Sequence, residues 1–163
     1  MTALIRSAAR SYGSWGVVLL VMGAGMLALH HRDYVAGYLA DWFAWQIVTG
    51  AALGGLMIYQ WGLLAARLSG NAEASRARYR WHRYVGVAMT GLFILHAVRL
   101  GYHWTSALTV VFLLNGAVGL MNRELVRYRT RGRYLLWYGG HVALSAVLVP
   151  LVALHIWVAL AFE

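Results

Sequence analysis

The sequence predicts an all-α fold: an integral membrane bundle of five transmembrane helices, with the N-terminus cytoplasmic and the C-terminus on the periplasmic, outer side. Three observations predict it. Of the 163 residues, 61% are hydrophobic and 12% charged, and the mean hydropathy is +0.61, more apolar than the core of a soluble domain of this size requires. The apolar residues gather into five runs separated by polar breaks. The basic residues, 14 in number and all arginine, lie almost entirely in those breaks, where the positive-inside rule makes them markers of topology. One membrane domain covers residues 1–163.

The first run spans about 12–29 and is rich in glycine (Gly16, Gly23, Gly25). Met1 to Arg10 starts basic and leads into it as a signal peptide does. No small-residue cleavage site follows before His30-His31-Arg32-Asp33, so a retained first helix is expected. The second run spans about 42–64, the third 81–100, the fourth 106–121 and the fifth 134–162. The fifth is longer than one crossing needs and should tilt or protrude. The breaks fall at 30–41, 68–80, 102–105 and 122–133.

Orientation follows from arginine placement. Arg6 and Arg10 precede the first run, Arg67, Arg76, Arg78, Arg80 and Arg83 surround the second break, and Arg123, Arg127, Arg129, Arg131 and Arg133 the fourth. That sets 12 arginines on one side and leaves Arg32 and Arg99 on the other, with Asp33, Asp41 and Glu163. The arginine-rich side is cytoplasmic, and a multi-pass protein of a bacterial inner membrane is expected. The net charge of +9 is thereby explained without nucleic acid. There is no cysteine, which excludes disulfides, thiolate-ligated iron–sulfur clusters and thiol catalysis.

The third and fifth runs share a layout, with histidines at 82 and 96 and at 141 and 155. A separation of 14 residues turns an α-helix through about 1400°, some 40° short of four revolutions, and rises about 21 Å. Each pair thus lies on one stripe, one member towards each side of the bilayer. With the predicted topology the two helices are parallel, so His82 and His141 fall near the inner surface and His96 and His155 near the outer. Neutral imidazole is the axial donor of low-spin b-type haem, and it carries no charge into hydrocarbon. Two bis-histidine b-type haems are expected: an inner haem iron bound by His82 and His141, and an outer one bound by His96 and His155.

A porphyrin needs small residues beside it. Gly86 and Gly91 lie between the histidines of the third run, and Gly139, Gly140, Ala143 and Ser145 flank His141. Haem propionates need cations: Arg99 follows His96 by one turn, and Arg80, Arg83 and Arg133 are near the inner pair. The plainer readings are that the histidines bond to backbone carbonyls within the bundle, that the glycines are packing contacts, and that Arg99 snorkels to the interface. His30, His31 and His103, with Asp33 and Asp41, form either a solvated outer rim, a docking surface or a metal-substrate site. Gln46 and Gln60 are expected to bond to neighbouring backbone, with quinone contact as the sharper reading.

His82-Arg83-Tyr84-Val85-Gly86 followed by Leu95-His96, and later Arg133-Tyr134, His141 and His155, resembles the transmembrane haem domain of ferric reductases and NADPH oxidases. That resemblance implies haems on the third and fifth helices, above a cytoplasmic N-terminus. Gln46-Ile47-Val48-Thr49-Gly50, His82-Arg83 and His96-Ala97-Val98-Arg99 are similar to the haem-bearing half of cytochrome b from bc-type quinol-oxidising complexes. There the arginine meets a haem propionate. Both resemblances imply a di-haem b-type cytochrome that carries electrons across the membrane. No dinucleotide fingerprint or flavin domain is present, so the chain is expected to be an electron-transfer subunit of an oxidoreductase or respiratory complex rather than a complete enzyme. Its partners would be membrane lipid, a cytoplasmic or periplasmic donor or acceptor, and quinone. The alternatives are a stand-alone quinone- or metal-reactive haem oxidoreductase and a haem-free membrane anchor or assembly subunit.

Overall fold

The computed structural model describes residues 2–28, 43–97, 104–123 and 125–161, with side chains of the first helix from residue 12 onward. Among the described residues the regular structure is entirely α-helical: α1 Thr2–Ala28, α2 Phe43–Leu68, α3 Ala72–His96, α4 Trp104–Leu120 and α5 Arg131–Ala161. Arg99, His30, His31, His103, Asp33, Asp41 and Glu163 lie outside the described residues.

Two boundaries differ from the sequence expectation. Helix α1 begins ten residues before Tyr12. The predicted break at 68–80 is mostly helix, because α3 begins at Ala72. Only a tight turn separates α2 from α3. Gly70 adopts φ +71°, where a side chain would be strained. Asn71 then caps α3, its side chain accepting from Ala74 N at 2.9 Å, and Glu73 sits in the first turn where the helix dipole favours it. Low hydropathy marked this stretch as a break, yet Ala, Glu and Arg are strong helix formers. Polar composition ended the apolar run without ending the helix.

Among the described residues, two helices, α2 and α5, are long and apolar enough to cross a membrane, and only 11% and 6% of their most apolar windows are buried. Core helices of a soluble domain would be mostly enclosed, so this low burial is compatible with membrane association. Ile58 is 73% exposed and Leu136 78%, apolar surface that water disfavours. The apolar parts of α1 (Tyr12–Ala28) and α4 (Trp104–Leu120) are shorter, and α3 carries arginines through its first half. Five membrane spans are thus more than helix length and composition establish.

The helices form two hairpins, α2–α3 and α4–α5, with α1 packed against α3 and α4. Close approach of α1 to α4 depends on glycine. A Cβ on Gly16 would lie 2.7 Å from Leu120 Cδ2, and one on Gly23 2.8 Å from Leu113 Cδ2. The glycines and the leucines are each seven residues apart, two turns, and they match in opposite order, so α1 and α4 are antiparallel. Below this contact, Tyr12 and Asn122 are 4% and 3% exposed, and Asn122 Nδ2 donates to Tyr12 Oη at 2.9 Å.

Valine at both Gly16 and Gly23 should wedge α1 from α4 and lower stability by about 2–6 kcal/mol in total, given about 1–3 kcal/mol per overpacked site. Denaturant unfolding in detergent checks this. An unchanged midpoint would show that α1 is not packed there.

Candidate functional site: a cleft spanned by two histidine pairs

Helices α3 and α5 do not pack against each other, and neither do α2 and α5. Between the two hairpins lies a largely apolar cavity of about 740 Å³ lined by α1 to α5, within the range of small-molecule and cofactor pockets. The four predicted histidines bridge it in twos. The rings of His82 and His141 lie 6.0 Å apart at 89°, and those of His96 and His155 5.9 Å apart at 90°. Because 82 meets 141 and 96 meets 155, α3 and α5 run in the same direction.

Each pair has one ring held against a glycine of the neighbouring helix in the same hairpin. A Cβ on Gly50 of α2 would sit 3.1 Å from His96 Cε1, and one on Gly119 of α4 would sit 3.1 Å from His141 Cε1. Each hairpin is also tied by a tryptophan that satisfies a carbonyl in the last turn of the neighbouring helix. Trp45 Nε1 donates to Leu95 O at 3.1 Å, and Trp137 Nε1 donates to Val118 O at 2.7 Å. Trp137 also stacks parallel to His141, and Trp104 lies against His155.

Hydrogen bonding fixes the tautomer of one ring. The Thr49 hydroxyl is 2.7 Å from Trp45 O and 2.9 Å from His96 Nδ1. A hydroxyl has one proton, and the Trp45 carbonyl can only accept it. His96 Nδ1 is therefore the donor to Thr49, which leaves the lone pair on Nε2. The other rings lack such a partner: Nδ1 of His82, His141 and His155 is buried without a hydrogen bond of normal geometry, although the backbone of Gln60 and of Asn115 interacts with His82 and His141. Gln60 Nε2 donates to His82 O at 2.9 Å.

The expectation of two bis-histidine b-type haems is corrected. Among the described residues no group of three or more His, Cys, Asp or Glu side chains comes together that could hold a metal ion. None of the four histidines is fully buried. Each pair is two imidazoles set edge to face at the usual separation of an aromatic pair. With no metal-holding group among the described residues, inner and outer haem irons are not assigned to these histidines.

The other predicted residues divide. Gly86 lines the cavity, with Gln60 Nε2 3.4 Å from its Cβ position. Arg83 also lines it, its guanidinium over Tyr12 and Tyr79. Gly91 instead faces Leu19 of α1. Gly139, Gly140, Ala143, Arg80 and Arg133 are exposed and lie off the cavity. Sequence reading missed Thr49, Gly119 and Arg67 as site residues. Gly50 and Thr49 stood within a quoted motif, but nothing in it showed that they meet His96. Comparison with known proteins gives no match: no family model, no curated protein and no solved structure is similar to this chain.

Thr49→Val should leave His96 Nδ1–H without its acceptor and cost about 1–3 kcal/mol, whereas Thr49→Ser should retain most of the stability. Thermal unfolding measures the cost, and ¹⁵N chemical shifts of the histidines show whether His96 loses its Nδ1–H form. Equal behaviour of the two variants would overturn the tautomer assignment.

Proposed function

We propose that this chain is a multi-pass membrane subunit that carries electrons across the bilayer within an oxidoreductase complex. The observation that carries the reading is the cavity itself, spanned at two levels by histidine pairs about 21 Å apart along the helix axes. Imidazole is not itself an electron carrier at biological potentials. The reading therefore requires a redox-active ligand with an apolar body in the cavity, the histidines and Trp137 orienting it and the two levels serving the two sides of the membrane.

A five-span arrangement supports this placement. The apolar parts of α1 and α4 reach the lower end of spanning length, about 17 residues. The arginine-rich N-terminus, α2–α3 turn and α4–α5 loop fall together on one side, which is cytoplasmic by charge. Since α3 and α5 are parallel, His82 and His141 form the inner pair and His96 and His155 the outer. The host is then a bacterial inner membrane, and the donor and acceptor are separate proteins or a quinone.

One observation favours a second reading, a quinone-reactive oxidoreductase. Gln60 lines the cavity beside His82, and its Oε1 is buried with no donor. A quinol hydroxyl would satisfy it.

The purified protein should show a reducible bound group in a reduced-minus-oxidised spectrum or release one on solvent extraction. His82→Ala and His141→Ala should cause one common loss, and His96→Ala and His155→Ala another. A protein with no reducible group by either measure would overturn the electron-transfer reading and leave a membrane anchor. A common loss for His82→Ala and His155→Ala would overturn the pairing.

The chain has no cysteine, so single cysteines report topology directly. Ala77→Cys and Arg129→Cys should react with an impermeant maleimide only from the cytoplasmic face, and a cysteine appended after Glu163 only from the opposite face. Labelling of all three from one side would contradict the single crossing by α5 between Arg129 and the C-terminus.

A further inference from the structure

The inner end of the cleft carries a cation that none of the chemistry above uses. Arg67, in the last turn of α2, lines the cavity. Its guanidinium lies 5.2 Å from the ring centre of Tyr138 on α5 and 5.9 Å from that of Tyr79 on α3. Arg83 approaches the same Tyr79 ring at 5.1 Å, and that of Tyr12 at 5.2 Å. Two guanidiniums thus share one tyrosine at the mouth of an apolar cavity. No carboxylate pairs with Arg67 among the described residues, and the whole chain has only five acidic residues.

The surroundings select the ligand. Aromatic faces hold the Arg67 guanidinium in place and leave its N–H edge to an anion. Because α2 and α5 do not pack, the cleft opens sideways between them, and Arg67 reaching Tyr138 is what bridges that opening. On the cytoplasmic side, such an opening faces the headgroups and acyl chains of the inner leaflet. Basic pockets between helices at that depth suit acidic lipid headgroups. A bidentate guanidinium matches a phosphate, and the apolar edges of α2 and α5 match an acyl chain.

We propose that Arg67 holds the phosphate of an anionic phospholipid whose acyl chain lies along the α2–α5 opening and closes the cleft from the side. The proposal rests on the membrane placement given above and is independent of the cavity's redox role. Phosphate could equally come free from the cytoplasm, and the experiment separates the two sources.

The full-length protein is placed in nanodiscs of phosphatidylcholine with or without phosphatidylglycerol, and lipid contacting the protein is measured with spin-labelled lipids of each headgroup. The wild type should prefer phosphatidylglycerol. Arg67→Gln should lower that preference about fivefold, the size expected for one arginine at a membrane surface, and Arg67→Lys should retain part of it. Arg129→Gln, an exposed arginine off the cavity, should leave the preference unchanged. Equal association of both lipids with the wild type, or equal effects of Arg67→Gln and Arg129→Gln, overturns the proposal. So does displacement of the bound lipid by millimolar inorganic phosphate, which would assign the site to the free anion. Resistance of each variant to carbonate extraction is scored separately: a wild type released by carbonate would fail the membrane reading, whereas loss of lipid preference in an Arg67→Gln protein that stays in the membrane tests the lipid site alone.

Discussion

Two parallel helices held apart are the constraint on which the rest of the structure depends. Helices α3 and α5 make no close backbone approach among the described residues, and imidazole rings face each other between them at 6.0 and 5.9 Å. An apolar cavity cannot hold itself open by its own contacts, since helix packing is driven by van der Waals contact that a gap forfeits. The spacing is supplied from behind. Each histidine helix is clasped by an antiparallel neighbour, α2 on α3 and α4 on α5, and α1 joins the two hairpins by packing on α3 and α4. The glycine–leucine contacts of α1 with α4 and the two tryptophan clasps belong to one frame around a central space.

Within that frame the polar groups are few and placed where they cost little. Thr49, Thr90 and Thr109 are 3–4% exposed, and the hydroxyls of Thr49 and Thr90 bond to a carbonyl of the preceding turn, which satisfies a group that hydrocarbon would penalise. Thr49 goes further and accepts a hydrogen bond from His96 Nδ1–H. The His96 ring is therefore fixed in tautomer and orientation, while the His82–His141 pair is bounded by Trp137, Gln60 and the arginines. The two ends of the cavity are chemically unlike. Directional transfer of any charge along it would begin from that difference.

Much of this was legible in the chain, and the failures have physical causes. Helix number and the apolar core of each helix followed from hydropathy, a property of consecutive residues. Helix α3 was placed nine residues too late, because hydropathy reports where lipid-compatible sequence stops and not where backbone hydrogen bonding stops. Glycine was legible as a class but not by role: Gly91 faces α1, Gly139 and Gly140 face nothing within 4 Å, and Gly50 and Gly119 receive the imidazoles. The rotation of a neighbouring helix decides which glycine meets which ring. The metal assignment failed for a related reason. Histidine spacing aligns donors along one helix, whereas the set of side chains that gathers at one point is decided by how several helices pack, and among the described residues no metal-holding group gathers.

By itself, then, the sequence determined what is local to a helix: its apolar length, its stripe of histidines at 14-residue spacing, and the side on which its arginines accumulate. Tertiary structure alone decided what lies across a gap. It set His82 against His141 and His96 against His155, turned Thr49 towards His96, and carried Arg67 from the end of α2 to Tyr138 on α5. Those contacts join residues tens of positions apart whose meeting depends on the tilt and rotation of two helices at once, and no periodicity along a single helix encodes it.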